Sequence, residues 1–220
     1  MIVLRNLSKS FRVDGEEFFV AKRLNTVFPT GRSVGLLGRN GAGKSTLLKI
    51  IAGTVRPTRG RVLSTGSISW PVGFAGSFHP ELSGAQNTRF VARIYGVDTQ
   101  ELIAFVEDFA NLGPHFHQPF RTYSAGMKSR LAFGVSMGVP FDTYLIDEVT
   151  SVGDAAFKKR SEEVLKERLR SSGAIVVSHG MGQIRALCDA GAVLHDGALT
   201  FFEDVEDAIA QHTANLNTTT

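Results

Sequence analysis

The sequence predicts an α/β fold in which helices cover both faces of a mostly parallel sheet and a helical block interrupts the alternation. Three observations carry this. Short apolar runs of β-rich composition alternate with amphipathic helical stretches. One such run, "SVGLLG" (33–38), breaks into glycines and then turns helical at "KSTLLKIIAG". From about residue 81 to 140 the period is helical throughout, so that segment reads as an insert rather than another strand–helix unit.

The elements follow in order. Residues 2–28 alternate as two strands around a turn at Asp14-Gly15. After the glycine-broken run, short strands are expected at 60–64 and 67–70. "GAQNTRFVARIYG" and "DTQELIAFVEDFANLG" are helical, the second with Asp98 and Glu101 at capping-box spacing. A Pro/His-rich connector, "GPHFHQPF", leads to a helix from about Ser124 to Met137. "TYLIDE" (143–148) and "AIVVSH" (174–179) read as buried strands flanking an amphipathic helix. A hairpin at Asp196-Gly197 and a short helix (203–211) close the domain, and "TANLNTTT" reads as a frayed tail. The expected organisation is one domain over 1–212, with a core from 1–80 and 141–212, a helical subdomain at 81–140 and a flexible tail at 213–220.

Composition narrows the function. The formal charge is +3 with a pI near 9.2, and no basic block is longer than Lys158-Lys159-Arg160, so a dedicated nucleic-acid surface is not expected. The single cysteine, Cys188, sits in a helical context and reads as a packed thiol. The N-terminus lacks the pattern of a signal peptide, and no apolar run reaches the ~18–20 residues of a membrane span. If the protein works at a membrane, a partner holds it there.

"GRNGAGKST" (38–46) fits G-x-x-x-x-G-K-[ST] between a strand and a helix. Gly38, Arg39, Asn40, Gly41, Ala42 and Gly43 would curl backbone N–H groups around phosphate oxygens, with Thr46 in the helix start beyond them. Lys44 would neutralise the terminal phosphates and Ser45 would offer its hydroxyl to Mg²⁺. Asp147, ending an apolar strand, is placed to hold the metal through water, and Glu148 to polarise an attacking water. Ser124 and Gly126 open a helix and could form an anion site, although a serine there is also an ordinary N-cap. His179, at the tip of a buried strand, could bond a γ-phosphate.

Phosphate loop, helical insert, Ser-x-Gly helix start, Asp-Glu strand and strand-end histidine occur in the order of the ABC ATPases, which the chain resembles over nearly its full length. The resemblance implies a P-loop NTPase (RecA-like) core, an N-terminal antiparallel β subdomain, an inserted α-helical subdomain, ATP and Mg²⁺ as cofactors, and a homodimer. It implies that "YSAGM" is the signature motif, with Met127 where glutamine is usual. Ser124 and Gly126 would then contact ATP on the opposite subunit, Asp154 in "SVGD" would lie near the seam, and His179 would be the switch histidine. Phe11 matches the aromatic that stacks on adenine, with Phe18 and Phe19 as alternatives.

"GRNGAGKSTLL", "SISWPVGFAG", "YSAGMKSRLAFG" and "DEVTSVGDAAF" together resemble the ATP-binding subunits of bacterial capsular polysaccharide exporters, relatives of the O-antigen and teichoic acid export ATPases. The likeness implies work at the cytoplasmic face of the inner membrane, with integral-membrane subunits and periplasmic or outer-membrane export components as partners and no nucleic acid. The family's usual glutamine is missing between Ser67 and Ala85. In its place stands an apolar stretch with Trp70, Phe74 and Phe78, read here as a socket for a membrane partner, with burial as the competing reading for Trp70 and Phe74. The rivals are a P-loop kinase, which has no use for the Ser-x-Gly helix start, and a non-transport ABC protein, which normally carries two cassettes or a long coiled coil.

Overall fold

The computed structural model describes residues 1–74, 76, 78–147, 154–178 and 180–218. In chain order the strands are β1 (Ile2–Val13), β2 (Glu16–Phe28), β3 (Ser33–Leu37), β4 (Arg59–Ser64), β5 (Ile68–Pro71), β6 (Thr143–Asp147), β7 (Gly173–Val177), β8 (Ala190–His195) and β9 (Ala198–Phe202). The α-helices are α1 (Lys44–Ile51), α2 (Gly84–Tyr95), α3 (Thr99–Ala110), α4 (Ala125–Gly138), α5 (Ala155–Leu169), α6 (Met181–Leu187) and α7 (Val205–Asn217). They divide into two units, one of Met1–Pro71, Phe141–Glu148 and Leu169–Thr220, the other of Val72–Pro140 and Val149–Arg168.

The first unit holds two sheets, ordered β2-β1-β4 and β5-β6-β7-β3-β8-β9. The small sheet is antiparallel; in the large one only the β8–β9 hairpin is. Strands β3, β6 and β7 are short runs of Val, Ile and Leu buried almost throughout, as parallel strands covered on both faces must be. They are neighbours, so their C-terminal ends share one edge: the glycine loop leaves β3, Asp147 ends β6, and β7 ends two residues before His179. Ligands of open α/β sheets gather at that edge. The inner face of the small sheet (Ile2, Leu4, Leu24, Phe28) and one side of α1 (Leu47, Leu48, Ile51) bury together with Leu36, Leu145 and Ile175 in one core.

Helix α7 departs from expectation. It continues to Asn217, where composition predicts fraying from residue 213. Its polar side chains do not compete with the helix but lie along it: the Thr213 hydroxyl donates to the Ile209 carbonyl, and the Gln211 amide to Asn215. The helix also lies tight on β8, where a side chain at Gly191 would reach within 2.2 Å of the Ala208 Cβ.

In the second unit α2 begins with a full capping box. The Gln86 N–H donates to the Ser83 hydroxyl, and the Ser83 N–H donates to the Gln86 side chain. At α3, Asp98 accepts from the Gln100 and Glu101 N–H groups, so the spacing there yields a plain N-cap. The unit extends beyond the expected insert to take in most of α5. The reason is packing: the Phe109 ring stacks on Phe133 at 5.5 Å and meets Phe157 edge-on at 5.2 Å, while Arg160 donates to the Asp108 carbonyl.

Candidate functional site

Residues 38–43 form the turn between β3 and α1. Gly43 is the N-cap of α1 in the left-handed region (φ 101°), and a Cβ there would fall 1.9 Å from Val20 Cγ1, so only glycine fits. No side chain caps this helix, and its first N–H groups therefore remain available to an anion. A cavity of about 350 Å³ opens at this point, lined by Asn40, Gly41, Gly43, Lys44, Ser45, Thr46, Asp147 and Val177. Most of the residues singled out in the glycine loop thus meet the strand-end carboxylate in one place.

Lys44 is buried, and its ammonium donates to the carbonyls of Gly38 (2.7 Å) and Arg39 (3.0 Å). Burial holds its pKa below the usual lysine value, and the Asp147 carboxylate works in the opposite direction. The Ser45 hydroxyl and the Asp147 carboxylate make no hydrogen bond within the described residues.

Gly38 and Arg39 also line a second cavity, of about 460 Å³, together with Ser178, Met181, His212 and Leu216. His212 is a member that sequence reasoning missed, because it lies in the stretch just before the expected tail. It is 8% exposed, and its pKa is lowered by burial first and then by the charges of Lys44 and His195. A third cavity, of about 680 Å³, adjoins Arg39–Ala42 on another side, walled by Phe18, Phe19, Lys22 and the His195–Gly197 turn. Phe11 is not in that wall; its half-exposed ring lies under the Lys9 ammonium at 4.7 Å. The two alternatives to Phe11 are therefore the aromatics beside the loop.

Ser124, Gly126 and Asp154 belong to the second unit. Ser124 caps α4, accepting from the Met127 N–H at 3.3 Å. It is anchored by its neighbour Tyr123, whose buried hydroxyl donates to the His115 carbonyl and accepts from the Gly84 N–H. The space around Gly126 is open, with nothing closer than 4.0 Å to a Cβ there. Asp154 accepts from the Phe157 N–H and from Arg130, and both hold its carboxyl below the usual range, the first more strongly. Glu148 and His179 lie outside the described residues.

The aromatic socket needs correction. Phe74 is exposed, but Phe78 is only 8% exposed, its ring meeting Phe120 edge-on at 5.3 Å. Trp70 is half-buried, edge-on to Phe141 at 5.3 Å. The three therefore do not form one exposed apolar face, because two find aromatic partners far along the chain. Gln86, the first glutamine after the stretch, spends its side chain on the Ser83 N–H.

The family profile of ABC transporters matches residues 21–151. The chain belongs to that family. Among curated relatives, this ABC ATPase is 46% identical to the polysialic acid transport ATP-binding protein KpsT of Escherichia coli, over 98% of this chain and 100% of that one. It is 42% identical to the capsule polysaccharide export ATP-binding protein CtrD of Neisseria meningitidis serogroup B, over 94% and 96% of the two chains. Its fold matches that of a dimeric ATP-binding cassette in a post-hydrolysis state bound to ADP and Pi, with a TM-score of 0.77 at 22% identity, covering 93% of this chain and 99% of that one. As expected for the ABC fold, the ATPase joins a mostly parallel core to an antiparallel β subdomain and a helical unit.

Proposed function

We propose that this chain is the ATP-hydrolysing subunit that powers export of capsular polysaccharide across the bacterial inner membrane. The observation that carries the reading is the 46% identity to KpsT over 98% of this chain, joined to a phosphate loop, a buried lysine and a strand-end carboxylate around one cavity. The loop N–H groups and Lys44 would hold the phosphates of ATP, and Phe18 or Phe19 would flank the base in place of Phe11.

Ser45 and Asp147 would hold Mg²⁺. Hydroxyl and carboxylate are the hard oxygen donors that ion prefers, and the two line the same cavity as Lys44. When bound, the ion offsets negative charge on the phosphates. Glu148 would draw the proton from the attacking water, and His179 would bond the γ-phosphate. Ser124, Gly126 and Asp154 would act across the seam of a homodimer, on nucleotide held by the other copy. Phe74, Trp70 and the surface around them would meet integral-membrane subunits at the cytoplasmic face, with periplasmic and outer-membrane components completing the path.

The test replaces the gene with its Glu148→Gln form in the native cell and locates surface polymer by fractionation. Loss of the general base cuts hydrolysis by roughly 10²–10⁴-fold while ATP still binds. Capsular polymer trapped inside a bare cell is the expected result. A normal capsule overturns the cargo, and trapping of O-antigen or teichoic acid instead reassigns it.

A further inference from the structure

We propose that the outer face of the small sheet β2-β1-β4 docks on an anionic phospholipid layer, an inference that rests on the reading of this chain as working against a membrane. Alternation along β1 sends Ile2 and Leu4 into the core and leaves Val3 and Arg5 on the other face. Val3 pairs with Val27 on one side and Leu63 on the other, making an aliphatic row across all three strands. Its two ends are open to solvent, Val27 at 46% and Leu63 at 41% exposure.

The next row on that face sets Arg5 directly opposite Arg61. Like charges facing across a strand pair destabilise it, and neither arginine makes an ion pair among the described residues. The opposition follows from the unbroken register that also pairs Ile2 with Ser64 and Val3 with Leu63, and a bulge comes directly after it, where Asn6 takes φ 48° and a Cβ on Gly60 would lie 2.2 Å from the Asn6 carbonyl oxygen. Arg23 and Arg59, on the same sheet, are likewise exposed and without an ion pair among the described residues. Five arginines outside this sheet do pair with acids: Arg32, Arg121, Arg130, Arg160 and Arg185.

Strands β1, β2 and β4 together hold seven Lys and Arg against two Glu, so cations scattered along the sequence are gathered by strand pairing. Guanidinium groups grip phosphate oxygens through two parallel hydrogen bonds, and a short aliphatic row gains by entering the headgroup boundary. An anionic headgroup layer meets both needs at once, relieving the Arg5–Arg61 repulsion and covering Val27, Val3 and Leu63.

The experiment is flotation of the purified chain with vesicles of phosphatidylcholine alone or with about a third phosphatidylglycerol, at low salt. The parent floats with the anionic vesicles and not with the neutral ones. Arg5→Gln with Arg61→Gln weakens that binding roughly thirtyfold. Leu63→Ser weakens it at unchanged charge, and Lys158→Gln with Lys159→Gln, exposed cations of the other unit, leaves it unchanged. ATP hydrolysis by the double arginine variant stays at the parental rate, which certifies its fold. A parent that ignores phosphatidylglycerol, or a double variant that binds as the parent does, overturns the proposal. Either failure leaves the nucleotide chemistry and the cargo test untouched, since the readout is binding to lipid alone.

Discussion

The Lys44 ammonium donates a 2.7 Å hydrogen bond to the carbonyl of Gly38, six residues before it, and so closes the phosphate loop on itself. To meet a phosphate it exchanges that bond and the one to Arg39 for a charged acceptor. Asp147, across the cavity, helps to keep it protonated despite burial. Lys44→Ala therefore loses phosphate binding itself. A charge-assisted hydrogen bond contributes about 1.5–3 kcal/mol, so calorimetric ATP affinity falls roughly 10- to 100-fold. Unchanged affinity would remove Lys44 from the site.

The aromatics of the 70–78 stretch separate by thermodynamics. Phe78→Ala opens a hole beside Phe120 and costs about 3–5 kcal/mol in urea unfolding. Phe74→Ala removes an exposed ring and shifts stability by no more than about 0.5 kcal/mol, yet it should uncouple transport while basal hydrolysis continues. A Phe78→Ala protein as stable as the parent contradicts the buried placement, and normal export by Phe74→Ala removes that ring from the membrane partner's contact.

Cys188 is buried, and its thiol is pushed up to about 12 from an ordinary 9.0, first by burial and then by Asp189. Its folded value is raised, so its contribution to stability is complete below pH 9. Above that the unfolded thiol ionises while the folded one keeps its proton, and stability falls by about 1.4 kcal/mol per pH unit until the folded thiol titrates. Urea midpoints measured from pH 8 to 10.5 should decline less steeply in Cys188→Ala than in the parent. Parallel declines would place the thiol in contact with water.

The phosphate loop was legible because its chemistry is contiguous: nine residues carry the turn, the anion cradle and the lysine together. Asp147 was legible because an apolar run must end somewhere, and an acid at the end of a buried strand stands out. The capping box of α2 was not, since "LSGAQ" follows a proline-rich stretch and Gln86 looks like any surface residue until Ser83 is seen beside it. Phe78 was misread as exposed because its partner, Phe120, lies more than forty residues away. Asn6 and Gly60 show the same limit: each is an ordinary turn-former in sequence, and only strand pairing makes them a bulge beside the row in which Arg5 faces Arg61. Helix α7 outran its expected end because Thr213 and Gln211 bond along the helix, a choice composition does not reveal.

The tight seat of α7 on Gly191 has a practical side. His212 and Leu216 wall the cavity that Lys44 also lines. A fluorescent label grafted after residue 211 would strip that wall, whereas one joined beyond Asn217 would leave it whole. The attachment point thus decides whether the cavity beside Lys44 survives labelling.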